Sequence, residues 1–419
     1  MSMSNTPQIR FAGFTDAWEQ RKVGDRMYIK SRIGWQALTK SEYLTSGDYY
    51  LITGTDIDEQ SHTVDLRKCF YVSEERYKMD DKIQVHEGDI IVTKDGTIGK
   101  VAMVRGLDKP ATLNSHLFVL RDMSGELDNY YLLTVLNSHI FDEFVASTKT
   151  GSTLTGMPQK TFVEFTFPVP KYEEQKKIAN YFQNLDTLIT LHQRKCDTLK
   201  ALKKAMLQKM FPKEGASVPE IRFAGFTDDW EQRELGDLGE TYTGLSGKTK
   251  EDFGHGNAKF VTYMNVFSNS IADLSMTESV EIDKKQNEVK YGDVFFTTSS
   301  ETPAEVGMSS VWLENSENTY LNSFCFGYRP SVKINPYYMA YMLRSDNVRK
   351  NIVFLAQGIS RYNISKNKMM EISVPLPNLE EQQKIGDYFR NLDTLITLHQ
   401  RKLDTLQKLK KAMLQKMFV

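Results

Sequence analysis

The tightest constraint on this chain is a long amphipathic stretch that it contains twice. Residues 168–211 return as residues 375–418, and the string Asn-Leu-Asp-Thr-Leu-Ile-Thr-Leu-His-Gln-Arg-Lys stands unchanged from Asn184 and from Asn391. In the first copy a row of residues falls at Ile178, Phe182, Leu185, Ile189, His192, Cys196, Leu199, Met206 and Met210. Steps of four and three make this a helix seam with heptad spacing. The second copy places Ile385, Phe389, Leu392, Ile396, His399, Leu403, Leu406, Met413 and Met417 at corresponding steps, and neither seam contains Pro or Gly. A helix of about 40 residues is ~60 Å long. With a single apolar stripe it needs a partner, and the chain supplies one. Two copies of one helix close most simply about a two-fold axis, which sets them antiparallel. His192 and His399 are then expected to meet near mid-helix, either tolerated in a partly wet seam or acting as a pH-sensitive register device.

A second repeat sets the organisation. PQIRFAGFTDAWEQRKVGD, from Pro7, returns as PEIRFAGFTDDWEQRELGD from Pro219. Its aromatic residues Phe11, Phe14 and Trp18, with Phe223, Phe226 and Trp230, read as packing anchors that lock a globular part onto the helices. A repeat this long means a duplicated domain rather than a solenoid. The expected division is a repeat segment at 1–25, a variable region at 26–167, a long helix at 168–211, a linker and repeat segment at 212–237, a second variable region at 238–374 and a second helix at 375–419.

The two variable regions share a skeleton. GDIIVT from Gly88 leads through Asp95-Gly96 into TIGKVAMV, a strong hairpin signal. Its counterpart is GDVFFT from Gly292, followed by the longer SSETPAEVG. LNSHLFVL from Leu113 and LNSFCFGY from Leu321 read as strands. Short helices from Asn129 and Pro336, a Gly-containing polar loop and a last strand complete each copy. The fold class expected is mixed α/β, two such domains with antiparallel-rich sheets and two long helices forming an antiparallel intramolecular coiled coil, a pseudo-two-fold repeat. Like scaffolds with unlike loops argue for two docking surfaces of one kind and different specificity.

Composition narrows the chemistry. The chain has 53 Lys and Arg against 54 Asp and Glu, a net charge of −1, which argues against unspecific nucleic-acid binding. The charge is uneven: residues 171–211 carry nine basic against four acidic side chains, while residues 26–167 are net negative. Three scattered cysteines and no CxxC read as a reduced, cytoplasmic protein without a zinc site. No signal pattern and no long apolar run argue for a soluble chain without a membrane. Asn335-Pro336-Tyr337-Tyr338 comes close to an amino-methyltransferase motif but lacks its second proline, and Asn335 as N-cap with Pro336 as first helical residue explains it. Gly247-Lys248-Thr249 lacks the first glycine of a P-loop. Glu288-Val289-Lys290 has no partner carboxylates. No catalytic residues and no metal ligands are expected.

What remains is binding. Lys94, Thr97 and Lys100 surround the first hairpin turn, and Ser152, Thr153, Thr155, Gln159 and Lys160 fill the later loop. The second copy offers Ser360, Arg361, Tyr362, Asn363, Ser365, Lys366 and Lys368. Such side chains read base edges and hold phosphates, and they are equally the residues of ordinary solvated loops.

RFAGFTDAWEQRKVGD, GDIIVTKDGTIGKVA, the loop before TFPVP and EEQKKIANYFQNLDTLI resemble the specificity subunit of type I restriction–modification systems, over the whole chain and in the family's order. The second copy departs from the pattern with SSETPAEVG in place of KDGTIG. The resemblance implies a non-catalytic subunit of a phage-defence complex. In it, two target-recognition domains each read one half of a split sequence in double-stranded DNA, and the helix pair sets the spacer. Two adenine methyltransferase (modification) subunits using S-adenosylmethionine, and restriction/translocase subunits using ATP and Mg, are the implied partners. This chain itself is expected to hold no cofactor. The alternatives are a coiled-coil scaffold or inactive decoy that reads no DNA, and an adenine methyltransferase acting alone, for which a cofactor loop is missing.

Overall fold

The structure, a computed structural model, describes residues 7–25, 27–32, 37–149 and 156–418. The chain divides into two compact units that do not follow its linear order: one holds residues 1–194 and 399–419, the other residues 195–398. Each long helix therefore begins in one unit and ends in the other. They span Tyr172–Lys209 and Leu379–Lys416, 38 residues each. Their starts are local events. Pro170 follows the strand Thr166–Val169, and in the second copy the Asn378 side chain accepts the Glu381 N–H at 2.9 Å. Glu173 and Glu174, like Glu380 and Glu381, put negative charge on the first turn, where the helix dipole favours it.

In the first unit a six-stranded sheet runs in the order Met27–Lys30, Leu117–Asp122, Ile90–Thr93, Val101–Met103, Thr63–Val64, Ile57–Asp58. A four-stranded sheet runs Phe70–Val72, Tyr49–Ile52, Ala111–Leu113, Gln84–Val85. All four residues of Ile90–Thr93 are buried, the mark of a strand covered on both faces. The second unit repeats the central order with Gly239–Thr243, Cys325–Pro330, Val294–Thr297 and Ser309–Val311, and places Thr277–Val280, Phe253–Val261 and Thr319–Leu321 in a second sheet. Pairing is mostly antiparallel, with parallel exceptions where Ala111–Leu113 meets Tyr50–Ile52, where Thr319–Leu321 meets Lys259–Val261 and where Thr63 meets Met103. The fold is mixed α/β.

The sequence reads residues 113–120 and 321–328 as continuous strands; the structure breaks both. Ala111–Leu113 and Leu117–Asp122 belong to different sheets, as do Thr319–Leu321 and Cys325–Pro330. The cause is the asparagine between them. Asn114 Oδ1 accepts the His116 N–H at 3.1 Å, and Asn322 Oδ1 accepts the Phe324 N–H at 2.9 Å, each closing an Asx turn that turns the chain out of its strand.

The repeat segments dock inside their own units. Glu19–Lys22 pairs antiparallel with Thr166–Val169, and Glu231–Glu234 with Ser373–Leu376. Arg10 donates two hydrogen bonds to Glu174 at 2.6 and 2.7 Å, and the Trp18 indole N–H adds a third at 3.2 Å. In the second unit Arg222 forks onto Glu381 at 2.7 and 2.8 Å. Both carboxylates are buried. The Tyr131 hydroxyl donates to Pro168 O, and Tyr338 to Pro375 O, each at 2.6 Å. Asn335 caps the helix Pro336–Met342 by accepting the Tyr338 N–H, so the Asn-Pro-Tyr-Tyr string is structural.

The seams stay buried through mid-helix, where Ile189 is 4% and Cys196 0% exposed. Ile178, Phe182, Leu185, Ile189 and Leu403 are buried in the first unit, with Leu406 and Met413 half-buried against its core. Leu199, Ile385, Phe389 and Leu392 are buried in the second, with Met206 and Ile396 half-buried. Past each helix end a phenylalanine plugs a core. Phe418 lies within 6.0–6.3 Å of Trp18, Tyr131 and Phe182 between ring centroids. Phe211 sits 5.8–6.4 Å from Trp230, Tyr338 and Phe389. Asp186 accepts the Tyr130 hydroxyl and pairs with Lys410, both at 2.6 Å. In the second unit Asp393 accepts Tyr341 at 2.8 Å and pairs with Lys203 at 2.6 Å. Burial, reinforced by these carboxylates, pushes both phenols well above the ordinary tyrosine range. In the first unit His192 Nδ1 and His399 Nδ1 meet at 2.8 Å, so one nitrogen donates and the other accepts.

Glu174→Ala or Glu381→Ala strands a largely buried guanidinium and is expected to cost about 3 kcal/mol, read from the urea unfolding of the variant against wild type. Asn322→Ala leaves the Phe324 N–H without its acceptor and is expected to cost about 1–2 kcal/mol in the same measurement.

Candidate nucleic-acid interface

Three segments meet at the end of the first unit's central strands. Thr93 closes the hairpin: its N–H donates to Lys100 O at 2.9 Å, its hydroxyl accepts the Lys100 N–H at 2.9 Å and donates to Thr97 O. Gly96 at the turn has φ +70°, a conformation that favours glycine. Lys94 is the node. Its N–H donates to His116 O at 2.9 Å, and its carbonyl accepts the Met157 N–H at 2.7 Å. The hairpin turn, the asparagine turn and the loop entering the helix Gln159–Phe162 are thereby tied by backbone alone.

The second unit makes the same bonds with other residues. The Thr297 N–H donates to Met308 O at 2.9 Å, and the Met308 N–H to Thr297 Oγ1 at 3.0 Å. The Thr298 N–H donates to Phe324 O at 3.1 Å, and the Ile364 N–H to Thr298 O at 3.0 Å. Lys94 and Thr298 are thus equivalent, as are His116 and Phe324, and Met157 and Ile364. A short strand pair, Ser299–Ser300 with Tyr362–Asn363, replaces the Asp95 to Gly156 bridge of the first unit.

Placed on this framework, the candidate residues separate. Lys94 is half-buried, its Nζ 5.6 Å from the Phe118 ring centroid and 3.4 Å from Ser31 Oγ. Gln159 and Lys160 are exposed beside it, the Gln159 amide donating to Ile29 O at 3.0 Å. Thr97, exposed, and Lys100, half-buried in an ion pair with Glu59, line one cleft with Asp95 and His116. Ser152, Thr153 and Thr155 lie outside the described residues. In the second unit Ser360, Arg361, Asn363, Ser365 and Lys368 are exposed, while Tyr362 is half-buried against the core. Lys368 is engaged by Glu371 at 2.8 Å. Lys366 holds its ammonium 6.0 Å from the Phe326 ring centroid. Phe326 is the equivalent of Phe118, so each unit sets a cation over the same ring from a different segment.

Reading the sequence misses part of the cluster. Asp95 and His116 stand 3.2 Å apart at the surface, and Phe324 is 59% exposed. The available signal is the repeated Leu-Asn-Ser at 113 and 321, which places both residues on a turn rather than inside a strand. In the first unit the hairpin and the asparagine turn, with Thr53, Thr55, Tyr43 and Phe70, line a cleft of about 760 Å³. Its walls carry hydroxyl, ammonium, carboxylate and aromatic groups, the mixture that reads base edges. In the second unit burial raises the Tyr263 phenol, whose hydroxyl donates to Ser299 O at 2.8 Å. Lys248, the lysine of the incomplete P-loop string, pairs with Asp283 at 3.0 Å; with hydrogen bonds from Lys285 N–H and Gln286 it holds that carboxyl down at about 2.

Among the described residues no cluster of three or more His, Cys, Asp or Glu is arranged to hold a metal ion, and no helix is long and apolar enough to cross a membrane. Residues 15–201 and 227–408 each match the family described as the type I restriction modification DNA specificity domain. Two relatives from Methanocaldococcus jannaschii are similar over most of their length. The type I restriction enzyme MjaVIII specificity subunit is 26% identical over 341 residues, covering 79% of this chain and 78% of that one. The putative type I restriction enzyme MjaX specificity subunit is 25% identical over 436 residues, covering 97% and 94%. Among solved structures, the S subunit of a type I restriction–modification system from M. genitalium aligns over 99% of both chains with TM-score 0.54 and 16% identity. A chain from a study of complex assembly and conformational transition of the type I system aligns over 95% of this chain and 96% of that one, with TM-score 0.51 and 16% identity. Both share the fold. With two matches to one domain family in the order of its own repeats, the chain belongs to the specificity subunits of type I restriction–modification systems.

Proposed function

We propose that this chain is the DNA-reading subunit of a type I restriction–modification complex, each variable region reading one half of a split sequence while the helix pair fixes the unread gap. The observation that carries the reading is the backbone framework built twice with unlike side chains. A surface conserved in hydrogen bonding and different in chemistry suits two recognitions of one kind. Near-neutral net charge fits a reader whose partners share the phosphate contacts.

The helix contacts support an antiparallel pair about a pseudo-two-fold axis. Asp186 pairs with Lys410 in the first unit. Shifted by the repeat, those positions are Asp393 and Lys203, which pair in the second. His192 and His399 are equivalent to each other and meet, as residues on the axis of an isologous contact must. A pair ~57 Å long is ample to hold two readers one duplex turn, about 34–36 Å, apart.

Each unit also leaves leucines outside: Leu188, Leu191 and Leu409 in the first, Leu395, Leu398 and Leu202 in the second, at equivalent positions and 37–59% exposed. This second stripe is the docking face for helices of two modification subunits. Methylation with S-adenosylmethionine, and ATP- and Mg-dependent restriction, belong to the partners.

Mapping methylated adenines in cells carrying the modification subunit, with and without this chain, tests the reading. A chain-dependent split motif with a constant gap is expected. Methylation without the chain, or none despite a stable complex, returns the chain to the scaffold or decoy role. Inserting four residues into one helix is expected to change the gap and leave both half-sites intact. Leu191→Glu with Leu398→Glu is expected to weaken co-purification of the modification subunit at least tenfold, with the thermal midpoint of the chain unchanged because both side chains are exposed.

A further inference from the structure

The framework shared by the two units also indicates which side chains set the bases read, a step that rests on the DNA-reading role proposed above. We propose that the turn residues His116 and Phe324, with Asp95 beside the first and Asn363 near the second, determine the identity of one base in each half-site.

Both turns are pinned the same way, by an asparagine that is 5% exposed and by a carbonyl bond to the residue after the hairpin strand. The side chain that follows the pinned asparagine by two positions is free to differ, and it does. In the first unit it is an imidazole with 60% of its side chain exposed; in the second it is a phenyl ring left in water. A single exposed apolar side chain is ordinary on a protein surface; what singles out Phe324 is its place on the pinned turn, at the position His116 holds in the first unit.

The neighbours give the two positions opposite chemistry. Beside His116 stands the Asp95 carboxylate, half-exposed, with Gly156 directly across. A Cβ at Gly156 would lie 2.1 Å from Asp95 Oδ1, so the glycine makes the room the carboxylate occupies. A carboxylate is repelled by phosphate and accepts hydrogen bonds, so on a DNA face it fits the exocyclic amine of cytosine or adenine. His116, 3.2 Å away, orients it. In the second unit the position across from the hairpin is Asn363, exposed, with the small Ser299 as its strand partner. Phe324 supplies apolar contact of the kind that reads a thymine methyl, and Asn363 supplies the paired donor and acceptor that read adenine. The first unit thus selects an amine-bearing base at this position and the second an A·T pair.

The test uses the full chain with its modification subunits and adenine methylation mapped across the genome. Asp95→Asn and His116→Phe are expected to relax one position of one half-site, raising methylation at non-cognate bases there on the order of tenfold. Phe324→His is expected to do the same at one position of the other half. The gap and the opposite half stay as in wild type. A motif unchanged at every position in all three variants overturns the inference while leaving the DNA-reading role intact. A wild-type chain that directs no split motif overturns that role itself. Should a variant abolish methylation, co-purification with the modification subunit separates misfolding from lost reading, and Phe324→Leu, which keeps the apolar contact, is expected to restore it. Failure of Phe324→Leu to restore methylation in an intact complex counts against the base contact.

Discussion

The structure depends on how a helix of 38 residues with one apolar stripe hides that stripe. Neither long helix carries enough neighbours of its own repeat to do so. Each begins against the globular part that precedes it in sequence and ends inside the other unit's core. The buried carboxylates Glu174 and Glu381 make the start specific, because a charge held there by a guanidinium tolerates no slip of the segment that brings the arginine. Phe211 and Phe418 make the end specific, each contributing about 2–3 kcal/mol of burial at a position where a shift of one residue would expose the ring.

That frame lets the variable regions change without unfolding. The ties between hairpin, asparagine turn and following loop run through N–H and C=O groups, which every residue but proline carries. Side chains at those positions are therefore released from structural duty. The cation over Phe118 and over Phe326 shows how far this goes: the charge is kept, while the lysine that supplies it comes from the hairpin in one unit and from the start of the short helix Lys366–Met370 in the other.

Much of the fold was legible because its causes are local. Heptad steps, the Asn335 cap and the Asp-Gly hairpin each act within a few residues. The Asn114 and Asn322 turns were not read, because flanking β-formers mask a three-residue break whose mark in the sequence is the repeated Leu-Asn-Ser. The seam was legible in outline, though Met206, Ile396, Leu406 and Met413 are only half-buried. Of the candidate site, Lys94, Gln159, Asn363 and Lys366 fall on the shared framework, whereas Lys100 and Lys368 are held by Glu59 and Glu371. Asp95 with His116 was missed because a contact between residues on separate turns has no period to betray it.

The interleaving of the two units also bears on how the protein is made. Phe418 and Met417 complete the core that Trp18 and Tyr131 begin. A nascent chain emerging from the ribosome therefore carries an unfinished first unit through all of the synthesis of the second. The second unit is continuous from Lys195 to Leu398 and holds everything its own core requires. The core made of the earlier residues is therefore completed by residues synthesised after the whole of the second unit.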